Sequence, residues 1–372
     1  MSGLEAVLRP HVGSGAIPGL VALVATGDDV EVVALGSQGT SGAPMQRGSI
    51  VRGASIAKPL MAAVTMMLVE DGTLDLDAPV SGLLPELADP RVLRTPTSEL
   101  DDTEPAQRPI TARHVLTSTS GHGFATVETP VVPLLVERLG QASMELDKVP
   151  APDEWMRRLA DIPLIHQPGD GWTYNASYDL LGVLLARAAG KDLAELMAER
   201  LLGPLGMVDS GFFVPMEKRD RFTTLYGSDL SVSDEPDGSF AEPPAFASGA
   251  GGIVTTVDDM LAFGRMLLAG GGDLLTPGSV RQMTTDHTTP ELREMGGFFL
   301  DGQGWGYGGG VDTSVREPWN VVGRYGWVGG TGTSAYVIPS RGSVNVLLTQ
   351  VELGSPESTA VLEAFWTHAA TA

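Results

Sequence analysis

Short apolar runs bounded by turn residues mark both ends of the chain, and helical patterns fill its middle. Near the start, Pro18-Gly19 leads into an apolar run at 20–25. Asp28-Asp29 then turns the chain into a second run at 30–35, a β-hairpin pattern. Strand patterns return at 304–311, 325–329, 334–338 and 344–351. Residues 4–12 read as a short opening helix and 356–370 as a closing one. Between these ends lie helical patterns at 111–119, 152–160, 178–189 and 192–202, separated by Pro- and acid-rich loops at 96–109 and 228–244. Another helix follows Ser248-Gly249-Ala250-Gly251-Gly252, with Thr256-Val257-Asp258-Asp259 as its capped start.

One stretch differs from all the others. Positions 59–69 carry no charge at all, so they predict a helix buried on every side, stopped by Glu70-Asp71-Gly72. Pro59 is tolerable only in a first turn, which places the start of this helix near Ser55. The whole pattern predicts an α+β fold, with helices flanking an antiparallel sheet. Residues 1–74 and 245–372 are expected to form that discontinuous lobe, and 75–244 an inserted, mainly helical one.

Composition narrows the chemistry. With 42% hydrophobic residues in 372, the chain can bury a large core, and no stretch reaches the roughly 20 apolar residues of a membrane span. A net charge of −22 argues against nucleic acid and anionic membranes as partners. There is no cysteine, and the six histidines show no H-E-x-x-H or H-x-H pairing, so neither a metal nor another cofactor is expected. Met1 to Ala6 has neither the basic nor the apolar region of a secretory signal, which predicts a cytoplasmic location. Gly251-Gly252 and Gly308-Gly309-Gly310 lack the strand–helix setting of a nucleotide fingerprint, and no G-x-S-x-G elbow occurs.

The entrance of the buried helix holds the candidate chemistry. Ser55 and Lys58 are three residues apart, so the hydroxyl and the amine share one helical face. Chance supplies such a spacing often; a lysine at the mouth of a buried helix is what singles this one out. Burial lowers an amine's pKa and lets it accept a proton from a serine nucleophile. The free N–H groups of the helix start favour a developing anion. A tyrosine could relay the proton onward, and Tyr174, in a loop just before an apolar helix, is the best placed of six.

Arg52-Gly53-Ala54-Ser55-Ile56-Ala57-Lys58 resembles the S-x-x-K block of serine β-lactamases and penicillin-binding proteins. Pro168-Gly169 followed by Tyr174-Asn175-Ala176-Ser177-Tyr178-Asp179-Leu180-Leu181-Gly182 is similar to their tyrosine block, most closely that of the class C β-lactamase-like family VIII esterases. The blocks at 110–121, 204–207 and 250–256 fit in family order. The resemblance implies acyl transfer through an acyl-Ser55, with Lys58 and Tyr174 managing protons. It implies an oxyanion site at the Ser55 and Gly330 N–H groups, and a substrate-binding set of Trp327, Gly329, Gly330 and Asn175.

Two departures from the β-lactamase pattern matter. Ala176 stands where Tyr-x-Asn would have its asparagine, and Asn175 comes one place early. Trp327-Val328-Gly329 replaces the cationic third motif, and tryptophan cannot hold a substrate carboxylate by charge. The expected activity is therefore carboxylic-ester hydrolysis of a small-molecule substrate. Acyl transfer to an amine or alcohol is the alternative, and β-lactamase or D-alanyl peptidase activity and a silent binding protein stand behind it. Phe298, Phe299, Trp305, Trp319 and Tyr325 are candidate walls of an acyl pocket.

Overall fold

The computed structural model describes residues 3–371. Seven strands form one antiparallel sheet: β1 (Gly19–Thr26), β2 (Asp29–Gly36), β3 (Gly304–Trp305), β4 (Gly310–Val311), β5 (Tyr325–Gly329), β6 (Thr333–Ile338) and β7 (Ser343–Thr349). Their order is β2-β1-β7-β6-β5-β4-β3. The two ends of the chain meet in the middle of this sheet, where Leu20 pairs with Thr349 and Val24 with Asn345.

The β1 run is continuously apolar because both faces of the strand are covered. Successive side chains point to opposite faces, and here each face has its own core. Leu20, Ala22 and Val24 pack with Leu4, Leu8, Leu362 and Phe365, from α1 (Gly3–Gly13) and the closing α11 (Pro356–Ala369). Val21, Leu23 and Ala25 join the larger core on the other face. That core includes α2 (Ala57–Glu70), in which every residue from Ala57 to Leu68 is buried. Each fully buried Leu or Met there is worth about 1.5–3 kcal/mol relative to exposure. Gly72 takes the left-handed conformation just past the end of α2, as its stop signal predicts.

The middle of the chain supplies α3 (Ala112–Leu116), α4 (Val131–Leu139), α5 (Pro152–Ala160), α6 (Ala176–Ala189) and α7 (Leu193–Met197), the last continued by a π turn to Leu202. Then come α8 (Val257–Leu268), α9 (Pro277–Thr284) and α10 (Pro290–Leu300). Thr256 caps α8 through the Asp259 N–H, 3.3 Å away.

Two expectations change. Residues 304–311 form two short strands joined by a turn rather than one, because the Gly306 N–H bonds back to the Gly309 carbonyl at 2.8 Å. The helix expected over 111–119 stops at Leu116, and Ser118, at φ 59°, turns the chain away. Three helices were not expected: α4 and α9, and α10, which is interrupted at Gly297.

Candidate active site

The segment leading to Ser55 is held from both sides. The Gly53 N–H donates to the Ile253 carbonyl at 2.7 Å. The hydroxyls of Thr331 and Thr333, beyond β5, donate to the Arg52 and Gly53 carbonyls at 2.6 and 2.7 Å. Ala54 adopts φ 48°, unusual for a residue with a side chain, and a single 3₁₀ turn over Ala54–Ile56 delivers Ser55 to the mouth of α2. Gly329 has to be glycine. A Cβ there would lie 2.4 Å from the Gly53 carbonyl oxygen, so any side chain would push β5 off the serine segment.

Lys58 follows in the first turn of α2, ahead of Pro59, and has no exposed surface. Its amine lies 2.8 Å from Ser55 Oγ and donates to Asn175 Oδ1 at 3.0 Å and to the Ala250 carbonyl at 2.6 Å. No carboxylate touches it. Burial pulls its pKa down from 10.5 to about 7, opposed only by the distant charge of Asp179.

Tyr174 comes to the same point from the loop before α6. Its backbone pairs with Phe124 in both directions, at 2.7 and 2.8 Å. Its ring lies over the Lys58 amine, 4.7 Å from the centroid, and stacks on Phe299. The hydroxyl accepts a 2.7 Å hydrogen bond from Trp327 Nε1 and faces the Ser55 hydroxyl. Burial pushes the phenol up to about 12, while the neighbouring Ser55 and Trp327 polar groups pull against the rise. The tyrosine is therefore neutral across the physiological range.

Ser55, Lys58, Tyr174, Asn175 and Trp327 thus converge from three separate parts of the chain. Asn175 faces the lysine, and its Nδ2 donates to Gln141 Oε1 at 3.0 Å, so both ends of its amide are taken by protein. Gly330, just past Gly329, is exposed, with open space where a Cβ would be. A cleft of about 920 Å³ opens over Ser55, Tyr174, Trp327 and Gly330. Of the candidate walls, Phe298, Phe299 and Trp319 line it. Trp305 and Tyr325 do not. They are core residues, held by hydrogen bonds to the Leu116 and Tyr307 carbonyls.

Two residues that sequence reasoning passed over stand behind the amine. Asp179, buried on α6, accepts from the Ser248 hydroxyl at 2.6 Å and the Ala250 N–H at 3.1 Å, and from the Gln141 amide. Burial raises its pKa and these three bonds lower it. Asp179 lies five residues after Tyr174, inside the recognised block, so its place was visible and its role was not. Gln141 carried no signal at all.

The β-lactamase family model matches residues 4–364. The chain belongs to the β-lactamase family. Among its relatives, an uncharacterized Mycobacterium tuberculosis protein is 34% identical over 369 residues, covering 94% of this chain and 90% of that one. Esterase EstB of Burkholderia gladioli is 31% identical over 376 residues, covering 93% and 89%. The solved structure of EstCE1, described as a hydrolase with promiscuous acyltransferase activity, superposes with a TM-score of 0.81 at 24% identity, covering 98% and 97%. A β-lactamase-family fold is thus shared from end to end. Among the described residues, no helix is long and apolar enough to cross a membrane.

Proposed function

We propose that this chain is a serine hydrolase acting by acyl transfer, and that its main reaction is hydrolysis of carboxylic esters. The observation that carries the reading is the Lys58 amine, 2.8 Å from Ser55 Oγ and brought by burial to a pKa of about 7. An amine so placed is a general base at neutral pH. Ser55 Oγ gives its proton toward Lys58 and attacks the ester carbonyl. The N–H groups of Ser55 and Gly330 receive the oxyanion. Tyr174, facing the same serine, hands a proton to the departing alkoxide, acting with Lys58 as one coupled unit. Water then takes the acyl group from Ser55.

The division into two lobes belongs to the same proposal. Ser55, Lys58, Trp327 and Gly330 come from 1–74 and 245–372, Tyr174 and Asn175 from 75–244, and the cleft opens between them. EstB is an esterase by name and shares most of its length with this chain. Transfer to an alcohol or amine is the second reading, because the same acyl-serine serves either acceptor.

The cleft also points to a substrate class. Phe124, Phe246, Phe299 and Trp327 give it apolar walls, while Asp301, Glu317, Glu352 and Glu363 lie along it. Arg324 is the one cation lining it among the described residues, and its charge is spent on Asp312, 2.9 Å away. Neutral or cationic esters with apolar acyl groups suit this surface, and substrates bearing a carboxylate do not.

The test is Ser55→Ala. The wild type should show a burst with a nitrophenyl ester and covalent labelling by a fluorophosphonate, and the variant neither. An undiminished burst in the variant would sink the proposal. Product formed with added alcohols or amines separates transfer from hydrolysis, and slow turnover of nitrocefin is expected.

A further inference from the structure

Asn175 is an asparagine at the N-cap of α6 that does not cap it. Its side chain makes no capping bond, and its backbone sits at φ 81°, ψ −69°, a costly place for a residue with a Cβ. What the amide does instead is accept from Lys58 and donate to Gln141. The contacts continue into a closed circuit. Gln141 Nε2 donates to Asp179 Oδ2, Asp179 Oδ1 accepts from the Ala250 N–H at 3.1 Å, and the Ala250 carbonyl accepts from Lys58 at 2.6 Å.

The direction of every bond in this circuit is dictated. Asp179 takes donors on both oxygens, from Ser248 and the Ala250 N–H on one and from Gln141 on the other, so it turns the NH₂ of Gln141 toward itself and leaves Gln141 Oε1 facing Asn175. That oxygen takes the Asn175 NH₂, which leaves Asn175 Oδ1 facing Lys58. The amine then meets two oxygens that can only accept, Asn175 Oδ1 and the Ala250 carbonyl. A neutral amine has two hydrogens and one lone pair. With both hydrogens committed, the remaining direction, toward Ser55 Oγ, is the lone pair's.

We propose that Asn175, Gln141 and Asp179 are positioning residues, an amide relay that aims the lone pair of neutral Lys58 at the Ser55 hydroxyl. The proposal rests on Ser55 and Lys58 being nucleophile and base, and it assigns a role to the asparagine that sits one place early in the tyrosine block. Buried Asp179 acts through two amides and one peptide group and never touches the amine. A direct carboxylate contact would hold the proton on Lys58 and defeat its use as a base. The titratable side chains facing the amine are Tyr174 from the loop and Tyr178 and Asp179 from α6, with Tyr325 on β5 behind Tyr178.

The experiment is the pH profile of acylation by a nitrophenyl ester in three variants, each checked for folding by thermal melting. Asn175→Asp puts a carboxylate on the amine at constant shape. It should move the acid limb up by about one pH unit or more, cutting the rate at pH 7 about tenfold and restoring most of it near pH 9. Gln141→Met leaves the Asn175 amide free to turn and should lower the acylation rate constant about tenfold with KM unchanged. If Asn175→Asp does not fold, Asn175→Gly, which tolerates the positive φ, should show the same tenfold loss at constant KM. An acid limb unmoved in folded Asn175→Asp overturns the relay, as does a Gln141→Met enzyme with wild-type acylation. Neither result touches the Ser55 assignment, which loss of the burst in Ser55→Ala decides separately.

Discussion

Arg52 and Lys58 are six residues apart and buried to the same degree, yet their surroundings treat charge in opposite ways. Arg52, at 2% exposure, bonds Asp234 through Nε at 2.8 Å and also through Nη2. It donates as well to the Thr223 and Glu235 carbonyls and lies 4.0 Å from the centre of the Phe222 ring. Burial lowers its pKa and Asp234 opposes that, so the guanidinium stays charged. Lys58 has no carboxylate in contact, only neutral oxygens and aromatic faces. Burial alone does not decide what a buried cation is for. One of the pair keeps its charge and holds structure, while the other is made ready to give it up.

The largest effect should come from forcing the second site to resemble the first. Lys58→Arg places a permanent cation beside Ser55, one that cannot accept a proton near neutrality. Acylation by a nitrophenyl ester should fall by about 10³-fold or more at every pH. Partial recovery at high pH would mean the base lies elsewhere. The reverse change belongs at Arg52. Arg52→Met leaves Asp234 buried without its partner and should cost about 3–5 kcal/mol of stability, read by denaturant unfolding. The folded fraction should keep its specific activity within about threefold. Equal stability would show that the pair is structurally idle.

The pH dependence follows from the same contrast. With Lys58 as the base proposed above, acylation needs the neutral amine, so the rate should rise with pH to a plateau above about 7 and fall about tenfold per unit below it. Tyr174, pushed up to about 12, sets no limb in the working range. The stability effect has a definite sign. The unfolded lysine keeps its proton up to about 10.5 and the folded one only to about 7, so the unfolded chain binds more protons in between. From this group, stability rises with pH across that window. Lys58→Met should remove that part of the slope, and Arg52→Met should leave it.

The two cations also show how far the sequence could be read. Lys58 was legible because its partner Ser55 is local, three residues away on one face, and because the charge-free run after it required burial. Arg52 was quoted only as the start of a motif. Its partner Asp234 ends the short strand Val232–Asp234, 182 residues on, and no period or spacing links them. The same holds around Lys58, where Asn175 and Ala250 are 117 and 192 residues away. The sheet and its two covering layers could be read because β1 and α2 carry unbroken apolar runs. The helix α4 escaped notice because Pro133 interrupts its pattern, and α10 because Gly296-Gly297 breaks it. The turn inside 304–311 was hidden for a different reason. The five glycines of that segment look alike in sequence, and only the packing of Trp305 and Tyr307 beneath them separates strand from turn.

The smallest predicted effect is the sharpest probe of what a neutral setting means. At Arg52 each bond to Asp234 joins two charges. At the active site, Trp327 Nε1 donates to the Tyr174 oxygen at 2.7 Å, and both groups are neutral. Trp327→Phe keeps most of the aromatic wall, including the edge contact with Trp305, and deletes that one donor. A neutral hydrogen bond contributes about 1 kcal/mol, so kcat should fall about fivefold with KM nearly unchanged. Because the bond holds down the pKa of Tyr174, losing it leaves the phenol a weaker acid. Esters with poor leaving groups, which need that proton most, should therefore suffer more than nitrophenyl esters. An equal loss for both would place Trp327 in binding rather than in proton transfer.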